Sequence, residues 1–158
     1  MQKITTFLSF NDQAEEAANF YCSIFKNAAI LNITRYNEAG PGPVGSVMVV
    51  SFKLEDQAYV ALNGGPEISF SMATSFMINC ADQEEVDHYW DKLSAGGKTL
   101  QCGWLTDKFG LAWQVTPTVL MELMHDKDLK KSKIVMEAML QMDKIDIKKL
   151  QDAAAQVS

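Results

Sequence analysis

Glu15-Glu16-Ala17-Ala18-Asn19-Phe20-Tyr21 returns further along the chain as Glu84-Glu85-Val86-Asp87-His88-Tyr89-Trp90, and each copy follows the same dipeptide, Asp12-Gln13 and Asp82-Gln83. In each copy an aspartate suited to capping a helix precedes acidic residues that favour the positive end of the helix dipole. An apolar stripe then begins: Ala17, Phe20, Tyr21, Ile24 and Phe25 in the first copy, Val86, Tyr89, Trp90 and Leu93 in the second. Steps of three and four residues mark one buried helix face. A long repeat present twice indicates a duplicated supersecondary unit and argues against a solenoid, which needs three or more copies.

Outward from the first copy, Ile4 to Phe10 reads as a strand entering the helix, and Asn27 closes that helix. Ala29 to Tyr36 alternates as a strand, with Leu31, Ile33 and Arg35 on one face and Ile30, Asn32, Thr34 and Tyr36 on the other. Gly40-Pro41-Gly42-Pro43 makes Asn37 to Gly45 a loop, and Glu55-Asp56-Gln57 turns the strand Ser46 to Leu54 into its partner, Ala58 to Asn63. Gly64-Gly65-Pro66 breaks the ladder and opens a connector to about Ala73. The second half follows the same order in shortened form: strand Thr74 to Cys80, helix Gln83 to Ala95 stopped by Gly96-Gly97, one strand Lys98 to Leu105, a turn at Asp107-Lys108-Phe109-Gly110, and strand Leu111 to Thr116. Beyond Pro117 the apolar spacing is helical through three further segments. The expected organisation is a first module over 1–66, a second over 67–117 and a helical extension over 118–158, forming one compact domain.

At 158 residues, with 47% hydrophobic and 22% charged content, the chain is long enough for one domain with a proper core. No apolar run is long enough to span a bilayer, and no basic segment followed by an apolar one opens the chain, so the expected compartment is the cytoplasm. A net charge of −6 without a basic stripe excludes nucleic acid as the expected partner. Cys22, Cys80 and Cys102 are odd in number, widely spaced and without a neighbouring histidine, which reads as reduced small core residues.

Two such modules in one short chain resemble the vicinal oxygen chelate superfamily, the glyoxalase and bleomycin-resistance fold. The resemblance sharpens towards its PhnB-like branch at Asp12-Gln13-Ala14-Glu15-Glu16-Ala17 with Phe20-Tyr21, at Thr34-Arg35-Tyr36, at Ala61-Leu62-Asn63-Gly64-Gly65-Pro66, and from Cys102 through Asp107-Lys108-Phe109-Gly110 to Val115. It implies an α+β fold whose two strand-helix-strand-strand-strand modules curl their sheets round a cavity, often as a homodimer, with a ligand against the concave face. Catalytic relatives hold a divalent metal with histidine and glutamate side chains. By position those ligands fall near Thr5, near Ala61 or Asn63, near Ser75 or Phe76, and on Gln114. Hydroxyl, methyl, phenyl and neutral amide groups are poor ligands for zinc, nickel or iron, so no metal and no cofactor is expected. His88 lies off its helix stripe and His125 follows a helical turn, so both read as solvated.

The candidate site residues are Gln114 and Asn63 as neutral hydrogen-bonding groups for an uncharged or zwitterionic ligand, Arg35 as a cation for an anionic one, Trp104 with Trp113 as an aromatic wall, and Thr5. Beside the amides, the arginine and the tryptophans stand plainer roles: a satisfied amide, a strand-end arginine paired with a surface acid, a packed core ring. The leading expectation is binding of a small organic molecule without a metal. The alternative is an enzyme, either a metal-dependent lyase or dioxygenase or the demethylubiquinone methyltransferase of the family's label. Against a methyltransferase of the doubly wound kind, Gly40 to Gly45 leads into a strand and carries two prolines, whereas such a cofactor turn enters a helix.

Overall fold

The computed structural model describes residues 2–157 and divides into two units, Met1–Ser69 and Phe70–Ser158. In the first, β1 (Thr6–Phe10) leads to α1 (Ala14–Ile24), then β2 (Ala28–Arg35), β3 (Val47–Leu54) and β4 (Gln57–Asn63). The sheet order is β1-β4-β3-β2, parallel only between β1 and β4. The register pairs Val50 with Ala61 and Phe52 with Tyr59, and these residues share the face covered by α1. There Ala14, Ala17, Ala18, Tyr21 and Ile24 of α1 are buried, and the Tyr21 ring stacks on Phe52 with centroids 6.3 Å apart. Phe20 and Phe25 of the expected stripe are half-buried.

One expectation for this unit fails for an identifiable reason. Asp12 does not cap α1: both helices start one residue before their Glu-Glu pair, but Ala14 separates Asp12-Gln13 from that pair in the first copy, so the N-cap falls on Gln13, which makes no side-chain bond. The Ala14 N–H is satisfied instead by Asn63 Oδ1 at 2.8 Å, from the end of β4. In β2 the register slips at Leu31 and again opposite Met48 of β3, while Leu31, Ile33 and Arg35 are all exposed.

In the second unit, β5 (Ser75–Cys80) and α2 (Gln83–Ser94) precede β6 (Lys98–Thr99), β7 (Trp104–Thr106) and β8 (Ala112–Pro117). The sheet order β5-β8-β7-β6 repeats that of the first unit, including the parallel pair of first and last strands. Here the aspartate does cap: Asp82 Oδ1 accepts from Glu85 N at 2.9 Å while Glu85 Oε2 accepts from Ala81 N at 2.9 Å. The stretch Lys98 to Leu105 is two strands and not one. Cys102 and Gly103 adopt φ of 61° and 82° and fold it back on itself, restoring the fifth element that the shortened reading lacked. Gly97 has no room for a side chain, since a Cβ there would stand 2.1 Å from the Thr106 carbonyl oxygen.

The extension forms α3 (Thr118–Met124), α4 (Leu129–Met139) and α5 (Ile147–Ala155) and belongs to the second unit. Leu120, Val135, Ile145, Leu150 and Ala154 make its buried core. Among the described residues no helix is long and apolar enough to cross a membrane.

Candidate functional site

β8 is an interior strand, and its register decides which side chains share its two faces. Trp113 pairs with Phe76 of β5 and Leu105 of β7, while Gln114 pairs with Met77 and Trp104. The first set lies under α2, whose Val86, Tyr89, Trp90 and Leu93 are buried. Gln114, Met77, Ser75, Trp104 and Thr106 therefore form the opposite face. There the half-buried Gln114 donates from Nε2 to Ser75 Oγ at 3.0 Å, and its amide oxygen has no protein partner among the described residues. Trp104 is half-buried beside it, and Met77 is 45% exposed. Sequence reasoning placed Ser75 near a ligand position but had no register with which to join it to Gln114.

The strand that carries Gln114 is held from its other face by a buried carboxylate. Asp107, 3% exposed, accepts from Phe109 N at 2.9 Å, Leu111 N at 3.1 Å and Trp113 Nε1 at 2.9 Å. Those bonds fix both the β7–β8 turn and the indole of the residue preceding Gln114.

In the first unit a separate cavity of about 710 Å³ opens where α1 begins, lined by Asp12, Glu15, Glu16, Tyr36 and Asn63 among others. The Tyr36 ring is enclosed by its own loop: a Cβ on Gly40 would come within 2.6 Å of it, and one on Gly42 within 2.4 Å. Asn63 spends its amide on the fold, accepting from Ala14 N and donating to Val47 O at 3.1 Å. Arg35 donates from Nη1 to Gly45 O at 3.1 Å and reaches Glu15 Oε2 at 3.9 Å, a long exposed ion pair of small energetic weight. Thr5 is exposed and precedes β1. Of the five candidates, then, the second unit brings Gln114 and Trp104 together, while Trp113 is buried on the α2 side of the sheet and makes no wall with Trp104. Asn63 lines the acidic cavity and Arg35 reaches one of its carboxylates, Glu15, whereas the sequence had offered those carboxylates only as a helix cap and helix-dipole partners.

The positions that would carry metal ligands do not fit a metal. Asn63 is committed to α1 and β3, and Gln114 and Ser75 are bonded to each other. Among the described residues no group of three or more histidine, cysteine, aspartate or glutamate side chains is placed to hold an ion. His88 and His125 are exposed; the His88 ring meets Tyr89 edge-on at 4.9 Å, and His125 Nδ1 lies 2.8 Å from Met121 O. All three cysteines are free thiols. Cys80 is buried, and burial, aided by Glu85 nearby, pushes its thiol up to about 12, which makes it inert as a nucleophile.

Comparison with known proteins follows the same outline. A family model described as 3-demethylubiquinone-9 3-methyltransferase matches residues 2–116, ending just before the helical extension. A PhnB protein from Bacillus cereus is 39% identical, aligned over 74% of this chain and 100% of its own, with a TM-score of 0.68. Protein PA1353 from Pseudomonas aeruginosa shares the fold at 20% identity, 74% and 98% coverage and a TM-score of 0.61. The fosfomycin resistance protein FosX from Listeria monocytogenes shares it at 16% identity, 79% and 98% coverage and a TM-score of 0.54. No protein of curated function matches.

Proposed function

The chain belongs to the 3-demethylubiquinone-9 3-methyltransferase family in its PhnB-like branch, built on the vicinal oxygen chelate fold, and from that membership we propose that it binds a small uncharged or zwitterionic organic molecule without a metal. The binding surface is the sheet face of the second unit that carries Gln114. One observation carries this reading: Gln114 is oriented by its bond to Ser75 while its amide oxygen stays available, with the Trp104 ring alongside. A few placed polar groups beside apolar and aromatic surface are what small-molecule sites use to orient a ligand. A neutral amide favours a neutral or internally balanced partner, since a net charge would arrive there without a counter-charge. In this reading the protein acts as a homodimer, and sedimentation of a monomer at micromolar concentration would remove that part of it.

The family's name favours a second reading, methyl transfer. In this chain the glycine-rich loop joins β2 to β3, strand to strand, and no helix N-terminus follows it to receive a cofactor's charged groups. The two readings separate in one series of melting scans on the full-length chain. A panel of small neutral and zwitterionic metabolites is expected to raise the melting temperature of the native chain and to lose that effect in Gln114→Ala. Zinc, nickel, manganese, iron(II) and adenosylmethionine are expected to leave it unchanged. Near-stoichiometric metal by elemental mass spectrometry, or stabilisation by adenosylmethionine alone, would overturn the proposal, as would a ligand bound equally well by Gln114→Ala.

A further inference from the structure

The hairpin leading into Trp104 is held in a demanding conformation by a part of the chain outside the family match. Trp104 N donates to Gln101 O at 3.1 Å across Cys102 and Gly103, two consecutive residues with positive φ. A two-residue hairpin loop of this kind is ordinarily Asn-Gly or Gly-Gly, because a side chain in the left-handed region crowds the backbone. Cys102 carries such a side chain, and a strained residue persists only where its surroundings fix it.

The surroundings in question are the extension. Cys102 N donates to Met142 O at 2.8 Å and Gly103 N to Asp143 O at 2.7 Å, so two successive amides of the turn are taken up by two successive carbonyls. Ile145, 1% exposed, stands so close that a Cβ on Gly103 would meet its Cγ1 at 3.1 Å. This segment is pinned in turn to the start of α2. Gln83 Nε2 donates to Ile145 O at 3.0 Å, Gln83 Oε1 accepts from Ile147 N at 2.8 Å, and Lys144 Nζ meets Asp87 Oδ1 at 3.0 Å.

We infer that the C-terminal extension is a positioning element for the binding face: by fixing the Cys102–Gly103 turn it sets where Trp104 stands beside Gln114. The functional meaning of this rests on the binding-face reading, but its test needs no ligand, so the two can fail separately. In full-length protein labelled with 5-fluorotryptophan, the resonances of Trp90, Trp104 and Trp113 are assigned from the three Trp→Phe variants. Gln83→Ala, which removes both bonds to the extension, is expected to shift or split the Trp104 resonance and leave Trp113 in place. Gln83→Met, which fills much the same space but makes neither bond, gives the same shift and serves if the alanine variant folds poorly. In a Cys102→Gly background the turn no longer needs to be held, and the Gln83 substitutions should then leave Trp104 unmoved. A single, unshifted Trp104 resonance in Gln83→Ala overturns the inference. So does movement of all three resonances alike, or a Trp104 shift of the same size with and without Cys102→Gly.

Discussion

Removing the Asp107 carboxylate tests how the strand bearing Gln114 is held. Asp107→Ala strips the acceptor from Leu111 N and Trp113 Nε1, both on residues at most 3% exposed, and from Phe109 N, which is half-buried. An orphaned buried donor costs about 1–3 kcal/mol. Two of them predict a loss of about 2–6 kcal/mol, a large share of the roughly 5–15 kcal/mol that a domain of this size has available. Asp107→Asn is the more discriminating change. Its carbonyl can still accept from the two backbone amides, but its NH₂ group then faces the indole N–H, donor against donor, at a cost of about 1–3 kcal/mol. Trp113→Phe deletes that indole donor, so Asp107→Asn should cost at least about 1 kcal/mol less in the Trp113→Phe background than in the native chain. The four proteins of this cycle are compared by urea unfolding followed by far-ultraviolet circular dichroism, with equal slopes required across the set. The reasoning is refuted if Asp107→Ala lies within about 0.5 kcal/mol of the native chain, the range of an ordinary surface change, or if the cost of Asp107→Asn is independent of residue 113.

Gly97→Ala should destabilise by about 1–3 kcal/mol or more, because its Cβ would stand 2.1 Å from Thr106 O and 2.8 Å from the Asp107 carbonyl carbon, and backbone cannot step aside as a side chain would; an unchanged melting temperature would contradict this. Asp87 is held below the ordinary carboxylate range, first by the hydrogen bond from Gln83 and then by that from Lys144. The stability this gives is present above the ordinary carboxylate pKa and is lost as pH falls through the lowered folded value. Carboxyl-detected titration should find the Asp87 pKa rising towards normal in Lys144→Ala, and no change on that substitution would count against the pair. Cys80 keeps its proton up to about pH 12 in the folded chain, chiefly through burial. The folded state therefore holds that proton more tightly than the unfolded chain, and stability should decline as pH rises above the ordinary thiol pKa. Iodoacetamide at pH 8 should label Cys80 far more slowly in native protein than in urea, and equal rates would refute the assignment.

The duplicated plan was legible because two copies of one helix signature, each preceded by Asp-Gln, force two copies of one topology. The extension's helices were legible too, since Val135 and Leu150 fall on helical spacing. What was not legible depended on contacts between distant residues. Asn63 reads as a strand-end amide until β4 is seen to deliver it to the first turn of α1. The reversal at Cys102–Gly103 carries no Asn-Gly signal, because part of its stabilisation comes from Met142 and Asp143, some forty residues on. The same limit applied to the candidate site. Alternation placed Gln114 opposite Trp113, but only register could say that Ser75 and Trp104 are its neighbours, and nothing in the first turn of α1 announced that its carboxylates also line a cavity.

In both units the strand made first pairs with the strand made last, Thr6 beside Tyr59 and Ser75 beside Ala112. For a chain leaving the ribosome this sets an order of events. The β3–β4 hairpin can zip as soon as it clears the exit tunnel, because its partners are adjacent in sequence, whereas β1 must wait until the rest of its unit has been synthesised before its edge is occupied. The second unit waits longer still, since the carbonyls that take up the amides of its Cys102–Gly103 turn are translated after the sheet itself is complete. Until β4 emerges β1 has no partner strand, and a chaperone that shields nascent strands would find in it, with its exposed Phe7, a target that lasts while the helix and the three following strands are made.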